Sequence, residues 1–290
     1  MTSAPATEGA EQWGDTWFAR DLAAALEDLG QEANVVARKG ATSEARDRDD
    51  VVVVLRGLRP VEPRPGKATW ILWIISHPDE VTPDEVAGYD AVFVASRHWP
   101  GADELHAKPL LQATNPARFT PGHAAAAGRP LFVGSTRGEF RPIVRDCRAA
   151  GIALDVYGVG WEAFLPPDEI AGTFISNPEL PAAYAAAPVV LNDHWRDMAE
   201  GGFLSNRLFD AVATGARVLS DEAVGLTEVF GDAVRTYRDS AELPGLLSGD
   251  LDATFGDAAR RRANAERIAR DHSFRSRAQV LIDEVERIRG

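Results

Sequence analysis

The chain has 290 residues, 45% of them apolar and 26% charged, the make-up of a globular protein long enough to bury a sizeable core, which excludes a disordered or fibrous chain. Its 31 basic residues against 44 acidic ones give a net charge of −13, which argues against a general nucleic-acid binder or a basic membrane-surface protein. An anionic ligand would therefore need a local cluster of Arg or of backbone N–H groups.

Met1 to Gln12 is small, polar and acidic, without the basic-then-apolar pattern of a signal peptide. Asp15 to Leu29 predicts an amphipathic helix, with apolar residues at Trp17, Phe18, Leu22, Ala25, Leu26 and Leu29 and a stop at Gly30. Ala33 to Ala37 predicts a strand. Val51 to Leu55 and Trp70 to Ile75 are runs without polar alternation, as expected of parallel strands buried on both faces. The most apolar stretch, Thr69 to Ile75, is far shorter than the roughly 20 residues a membrane span needs, so no transmembrane segment and a cytoplasmic location are expected. Pro83 to Gly88 and Gly101 to Leu105 predict short helices around a strand at Ala91 to Ala95. Gln112 to Pro130, with three prolines, two glycines and an alanine run, reads as an interdomain crossing.

A second alternating series follows. Strands are predicted at Leu131–Val133, Leu154–Tyr157, Val189–Leu191, Arg217–Leu219 and Val234–Tyr237. Helices are predicted at Phe140–Ala150, Leu180–Ala186, Asn206–Thr214, Leu226–Phe230, Ala241–Leu247 and Ala258–Arg289. Buried strands alternating with helices argue for parallel sheets of right-handed βαβ units, and two such series argue for two Rossmann-like α/β domains facing each other. The only cysteine, Cys147, allows neither an intramolecular disulfide nor a Cys-rich zinc site, and it reads as a packing residue on a helix.

Asn192 to Asp221, NDHWRDMAEGGFLSNRLFDAVATGARVLSD, carries the most chemistry. It reads as a strand end, a glycine-containing loop and a short helix capped by Ser205 or Asn206. Free N–H groups at the helix start make an anion site. Arg207 in the first turn opposes the helix dipole, which suggests an anionic partner. Asp210, four residues after Asn206, shares its face and could accept ribose hydroxyls; a capped helix with a surface Arg and Asp is the plainer alternative. Asn192, Asp193 and His194 end a strand and either line the crevice or serve structure. Their Asp-x-His-like grouping lacks a third ligand, so no metal is expected. His77 ends another parallel strand, where ligand crevices occur. Arg56 is either a cleft residue or a surface one. Trp161 and Trp195, each just after a strand, are the tryptophans best placed as sugar platforms. Gly158–Gly160 lacks the third glycine of a dinucleotide fingerprint, and no phosphate-loop or nucleophile-elbow motif occurs.

This stretch resembles group 1 (family 4-like) nucleotide-sugar glycosyltransferases of the GT-B fold, and within them a bacterial, spore-maturation-type branch with an N-D-H-W…G-F-x-S-N-R-x-F-D-A…G motif. The resemblance extends through LFVGSTRGEFRPIV at Leu131–Val144 and DVYGVGW at Asp155–Trp161. It continues more loosely into WGDTWFARDLAAALEDLG, VVVVLRG and WIISHPDEV. It implies an acceptor-side domain over 1–120, unusually short because Met1 to Gln12 cannot form the expected first strand. It also implies a nucleotide-sugar domain over 121–270 and a helix over 271–290 packing back on the first domain. Asp210 would match the second carboxylate of the family's Glu-x7-Glu pair and hold the ribose, while Gly202 would replace the first, with Glu200 the nearest substitute. Gly134, Ser135, Tyr157, Asn192, His194, Phe203, Leu204, Ser205, Asn206 and Arg207 would bind the donor. Arg137, with Arg141 as a weaker candidate, would meet the diphosphate, and Asp15 and His77 would sit at the reacting sugar. The implied reaction is retaining, metal-independent transfer of a sugar from a nucleotide-diphosphate donor to an unknown acceptor (a glycan, small molecule or protein), with no cofactor and no nucleic acid partner. An epimerase or hydrolase on the same fold, and a non-catalytic binding module, are the alternatives.

Overall fold

A computed structural model describes residues 11, 13–40, 43–44, 48–122 and 128–290. Most of the segment expected to precede the first helix, and part of the alanine run of the crossing, lie outside the described residues.

The first half forms a parallel sheet in the order β1 (Val51–Arg56), β2 (Thr69–Ile74), β3 (Ala91–Val94), β4 (Lys108–Pro109). β2 is buried along its whole length, which explains its unbroken apolar run TWILWI. One face packs on α1 (Gly14–Glu27) and on α12 (Phe274–Arg289), through Phe18, Leu22, Trp73, Phe93, Phe274 and Leu281. The ring of Phe18 meets Trp73 and Phe274 edge-on at centroid distances of 5.2 and 4.7 Å. The other face packs under α2 (Pro83–Val86) and α3 (Gly101–Glu104), and under Met198 and Phe203 from the second half. Ala33–Ala37 joins no sheet and is irregular, so the strand expected there is corrected: among the described residues β1 is an edge of its sheet and no strand extends it further.

The second half is a six-stranded parallel sheet built from β5 (Leu131–Val133), β6 (Asp155–Tyr157), β7 (Ile170–Gly172), β8 (Val190–Asn192), β9 (Val218–Asp221) and β10 (Val234–Tyr237), in the order β10-β9-β8-β5-β6-β7. On one face lie α5 (Leu180–Ala186), α7 (Asn206–Ala213), α8 (Leu226–Phe230) and α11 (Ala258–Asp271). On the other lie α4 (Pro142–Ala149), α9 (Leu243–Leu247) and α10 (Leu251–Phe255), with Cys147 buried among them. The short helix α6 (Arg196–Gly201) lies between β8 and α7 in the chain.

The single closing helix expected over Ala258–Arg289 is two. The break falls at His272–Ser273, where the Ser273 hydroxyl caps α12 by accepting from the Ser276 N–H at 3.3 Å. At this break the chain recrosses to the first half beside the outgoing crossing: the Thr114 N–H donates to His272 O (2.9 Å) and the Phe274 N–H donates to Thr114 O (3.0 Å). His272 is buried at this junction, where burial and the charge of Arg277 lower its pKa to about 4. No helix among the described residues is long and apolar enough to cross a membrane.

Candidate active site

The order of the second sheet reverses at β5, which pairs with β6 on one side and β8 on the other. Open parallel sheets bind ligands in the crevice outside the carboxyl ends of the strands at such a reversal. Here β5 ends at Val133 and β8 at Asn192. Arg207, in the first turn of α7, ties both ends together: Nη1 donates to Asn192 Oδ1 at 2.9 Å and Nη2 to the Val133 carbonyl at 2.6 Å. Asn192 is fully buried and donates its amide to Ser220 Oγ at 2.9 Å. Its expected contact with the donor is corrected: it aims Arg207.

The loop after β5 crosses over the Gly158–Gly160 loop at very short range. A Cβ on Gly158, which has φ 151°, would stand 2.2 Å from the Gly134 carbonyl oxygen, and one on Gly160 (φ 84°) 2.5 Å from Thr136 Oγ1. Backbone approach, rather than a dinucleotide fingerprint, is the reason for this Gly-x-Gly. The Gly134 N–H is engaged by the Tyr157 carbonyl (2.8 Å), and its own carbonyl accepts from Trp161 Nε1 (2.9 Å). Trp161 is fully buried against Phe132, so it is not the sugar platform expected of it. The ring of Tyr157 lies over Gly172 at the sheet edge. Ser135 gives its carbonyl to Arg141 and its Oγ to the Val159 N–H.

Arg137 sits at the tip of this loop in the left-handed region, φ 55°, with its guanidinium 5.7 Å from the Trp195 ring centroid. Arg141 lies 5.5 Å from the same ring but is buried and paired with Asp193 through Nε (3.1 Å) and Nη2. Arg137 and Arg207 form no ion pair among the described residues. Desolvation and the like charges of Arg141 and Arg207 lower the pKa of Arg137, while Asp15, in the first turn of α1, acts on it from the opposite half and raises it.

The loop before α7 departs from expectation in the same way. His194 has a fully buried side chain: Nδ1 lies 2.6 Å from Asp221 Oδ1, and Nε2 accepts the Ser205 N–H at 3.1 Å. That pairing fixes the neutral tautomer with its proton on Nδ1. The Phe203 N–H donates to Met198 O (2.8 Å), and the Phe203 and Leu204 side chains are core. The contacts expected of His194, Phe203 and Ser205 with the donor are therefore corrected, since both ring nitrogens of His194 and the N–H groups of Phe203 and Ser205 are engaged within the protein. The amides of Asn206 and Arg207 in the first turn of α7 have no such partner among the described residues. With Asp193 paired to Arg141 and His194 to Asp221, no metal reading of that pair survives.

Asp210 lies one turn further along α7, half-buried. Its Oδ1 accepts from the Thr114 hydroxyl and its Oδ2 from Asn206 Nδ2, both at 2.8 Å. Burial raises its pKa to about 8, with Asp21 adding to the effect and the hydrogen bonds and Arg118 opposing it. Gly202 ends α6 at φ 71°, where a Cβ would meet Ser96 Oγ at 3.0 Å and the Val224 carbonyl at 3.1 Å. A carboxylate side chain has no room there, and Glu200 is exposed and paired with Arg196 at 2.8 Å, so it does not substitute. Arg56 is buried in a fork with Glu85 at 2.7 Å and belongs to the first sheet's support. His77 does reach the crevice: its backbone is left-handed (φ 50°) and its ring lies 6.4 Å from that of Trp195. The residues that sequence reasoning missed, Thr114 and Asp221, carry no local signal except that Asp221 ends a buried strand.

A family model described as "Glycosyl transferase-like" matches residues 124–283. No curated protein matches the chain. Among solved structures, AviGT4, a glycosyltransferase involved in avilamycin A biosynthesis, is 17% identical with a TM-score of 0.65, over 96% of this chain and 91% of that one. Anabaena HepE in complex with UDP and glucose is 10% identical with a TM-score of 0.64, covering 98% of each chain. The DNA-modifying enzyme β-glucosyltransferase is 12% identical with a TM-score of 0.63, over 99% of this chain and 97% of that one. At these identities the likeness is one of fold, and the fold is the two-domain GT-B architecture.

Proposed function

The chain belongs to the glycosyl transferase-like family, and on that premise we propose that it transfers a sugar from a nucleoside-diphosphate donor to an acceptor, with retention of configuration and without a metal Lewis acid. The observation that carries this reading is the pair of guanidinium groups, Arg137 and Arg207, gathered without ion-pair partners among the described residues at the reversal of the second sheet. They would hold the diphosphate together with the Asn206 and Arg207 amides at the start of α7. Asp210 would accept the ribose hydroxyls in its ionised form.

In the reaction, the bond from the anomeric carbon to the phosphate oxygen breaks as the acceptor oxygen bonds to the same face. The acceptor's proton passes to the leaving phosphate, so no separate general base is required. Arg137, held over Trp195, would stabilise the charge growing on that phosphate, and such preorganised electrostatics is usually the largest catalytic contribution. His77 and Asp15 would stand on the sugar side.

The test is thermal unfolding with UDP, GDP, dTDP, CDP and ADP, on wild type and Asp210→Ala. Ligand at 100 times its dissociation constant stabilises by about 2.7 kcal/mol. A rise in midpoint with one nucleotide, lost in Asp210→Ala, supports the donor site and identifies its base. No rise with any of the five overturns the reading.

A further inference from the structure

The turn that follows β3 reaches from the first domain into the second. Ser96 is buried there, and its hydroxyl gathers three hydrogen bonds. Oγ accepts the N–H groups of His98 (2.9 Å) and Trp99 (3.1 Å), which folds the turn back on itself. It donates to the Gly201 carbonyl at 2.6 Å. Gly201 is the last residue of α6, and a helix end leaves such carbonyls without an intrahelical partner. The first domain supplies the missing donor.

The contact is close on several sides. A Cβ on Gly202 would stand 3.0 Å from Ser96 Oγ, and one on Gly201 would stand 3.3 Å from the Trp99 ring. Phe203 is fully buried, with its ring edge-on to Trp99 at 5.9 Å, and with Met198 it belongs to the core of the first sheet. His98, next in the turn, reaches the start of α8: Nε2 lies 3.0 Å from Glu228 Oε2, and the ring covers Gly225. The end of α6 is thus second-domain chain seated on first-domain side chains.

Leu204 and Ser205 follow this seat in the chain, and Asn206 and Arg207 begin α7. Two anchors bracket the approach to α7. From the second domain, His194 Nε2 accepts the Ser205 N–H at 3.1 Å; from the first, Ser96 holds the Gly201 carbonyl. Without the Ser96 hydroxyl, a buried carbonyl and two turn N–H groups lose their partner, and the end of α6 must shift to recover one.

The structure assigns Ser96 as a positioning residue for the donor: it carries the placement of the first domain to the start of α7, so donor affinity belongs to the docked pair of domains and not to the second domain alone. This role rests on the reading of the Asn206 and Arg207 amides as diphosphate donors.

The experiment is calorimetric titration of the full chain with UDP, GDP, dTDP, CDP and ADP, on wild type, Ser96→Ala, Ser96→Cys and Leu281→Ala. Ser96→Ala should weaken nucleotide binding about 10-fold. Ser96→Cys, close in shape but a weak donor, should keep the fold and weaken binding by a smaller factor. Leu281→Ala, in the core on the opposite face of the first sheet, should lower the melting temperature and leave affinity unchanged. Amide hydrogen exchange over 203–207 should quicken in Ser96→Ala and not in Leu281→Ala. Affinity unchanged in both Ser96 variants overturns the proposal and leaves His194 as the anchor of α7. Equal weakening in Leu281→Ala also overturns it, since affinity then follows stability. Absence of binding in wild type overturns the donor reading itself.

Discussion

The Thr114 hydroxyl donates to Asp210 Oδ1 at 2.8 Å, and the same residue's N–H and carbonyl bond to the returning chain at His272 and Phe274. The carboxylate read as the ribose anchor is thus held by the segment that joins the domains. Its pKa of about 8 lies far above the 3.8 of a free Asp, so the folded protein holds this proton more tightly than the unfolded chain. The associated stability is fully present below about pH 4 and is lost as the pH rises through about 8. Wild type should therefore lose about 2–5 kcal/mol relative to Asp210→Asn between pH 5 and 9, measured by urea unfolding across that range. Nucleotide affinity should move the other way and strengthen towards pH 8, because ribose hydroxyls donate to the ionised form.

Arg207→Lys should lower nucleotide affinity about 10-fold or more while the fold persists. Lysine keeps the charge but cannot donate to Asn192 Oδ1 and the Val133 carbonyl at once, as the guanidinium fork does. Calorimetric titration with the nucleotide identified by the unfolding panel checks this.

Gly158→Ala should destabilise by about 2–4 kcal/mol and abolish nucleotide binding together. The added methyl has no space beside the Gly134 carbonyl, and φ 151° disfavours any side chain, so the phosphate-side loop must shift. Gly138→Ala serves as the comparison, since a Cβ there meets nothing within 4 Å although its φ of 87° still adds strain.

His194→Ala should act on stability first, with a loss of about 2–3 kcal/mol in denaturant unfolding. Asp221 Oδ1 loses its imidazole partner, keeping only the Ser220 hydroxyl, and the Ser205 N–H loses its acceptor. Arg137→Ala should do the opposite. The side chain is exposed and makes no hydrogen bond among the described residues, so the melting temperature should hold while the transfer rate falls about 100-fold.

The buried strands were legible because parallel sheets covered on both faces require unbroken apolar runs: Val51–Leu55 and Trp70–Ile75 match β1 and β2 to within a residue at each end. Helix stops at Gly30 and Gly151 were legible because both take a left-handed turn that glycine adopts without strain. Ala33–Ala37 misled because propensity cannot supply a neighbouring strand. The break at His272–Ser273 was missed because the periodicity of α11 runs on into α12, although Ser273 carried the signal of a cap. In the site, sequence located Asn192, His194, Ser205 and Arg207 in one stretch but not the direction each faces. Orientation depends on partners such as Asp221 and Ser220, which lie elsewhere along the chain.

The packing of α12 on α1 makes the first domain a product of two segments far apart in sequence, with Phe274 and Leu281 seated in the same core as Phe18 and Leu22. During synthesis the second domain can therefore close its sheet while the first still exposes the apolar face that α12 will cover. The sheet begun first on the ribosome has one face covered only after the second domain is made, when α12 emerges. A nascent chain stalled before Phe274 would present that uncovered face to chaperones, with the nucleotide-side domain already folded beside it.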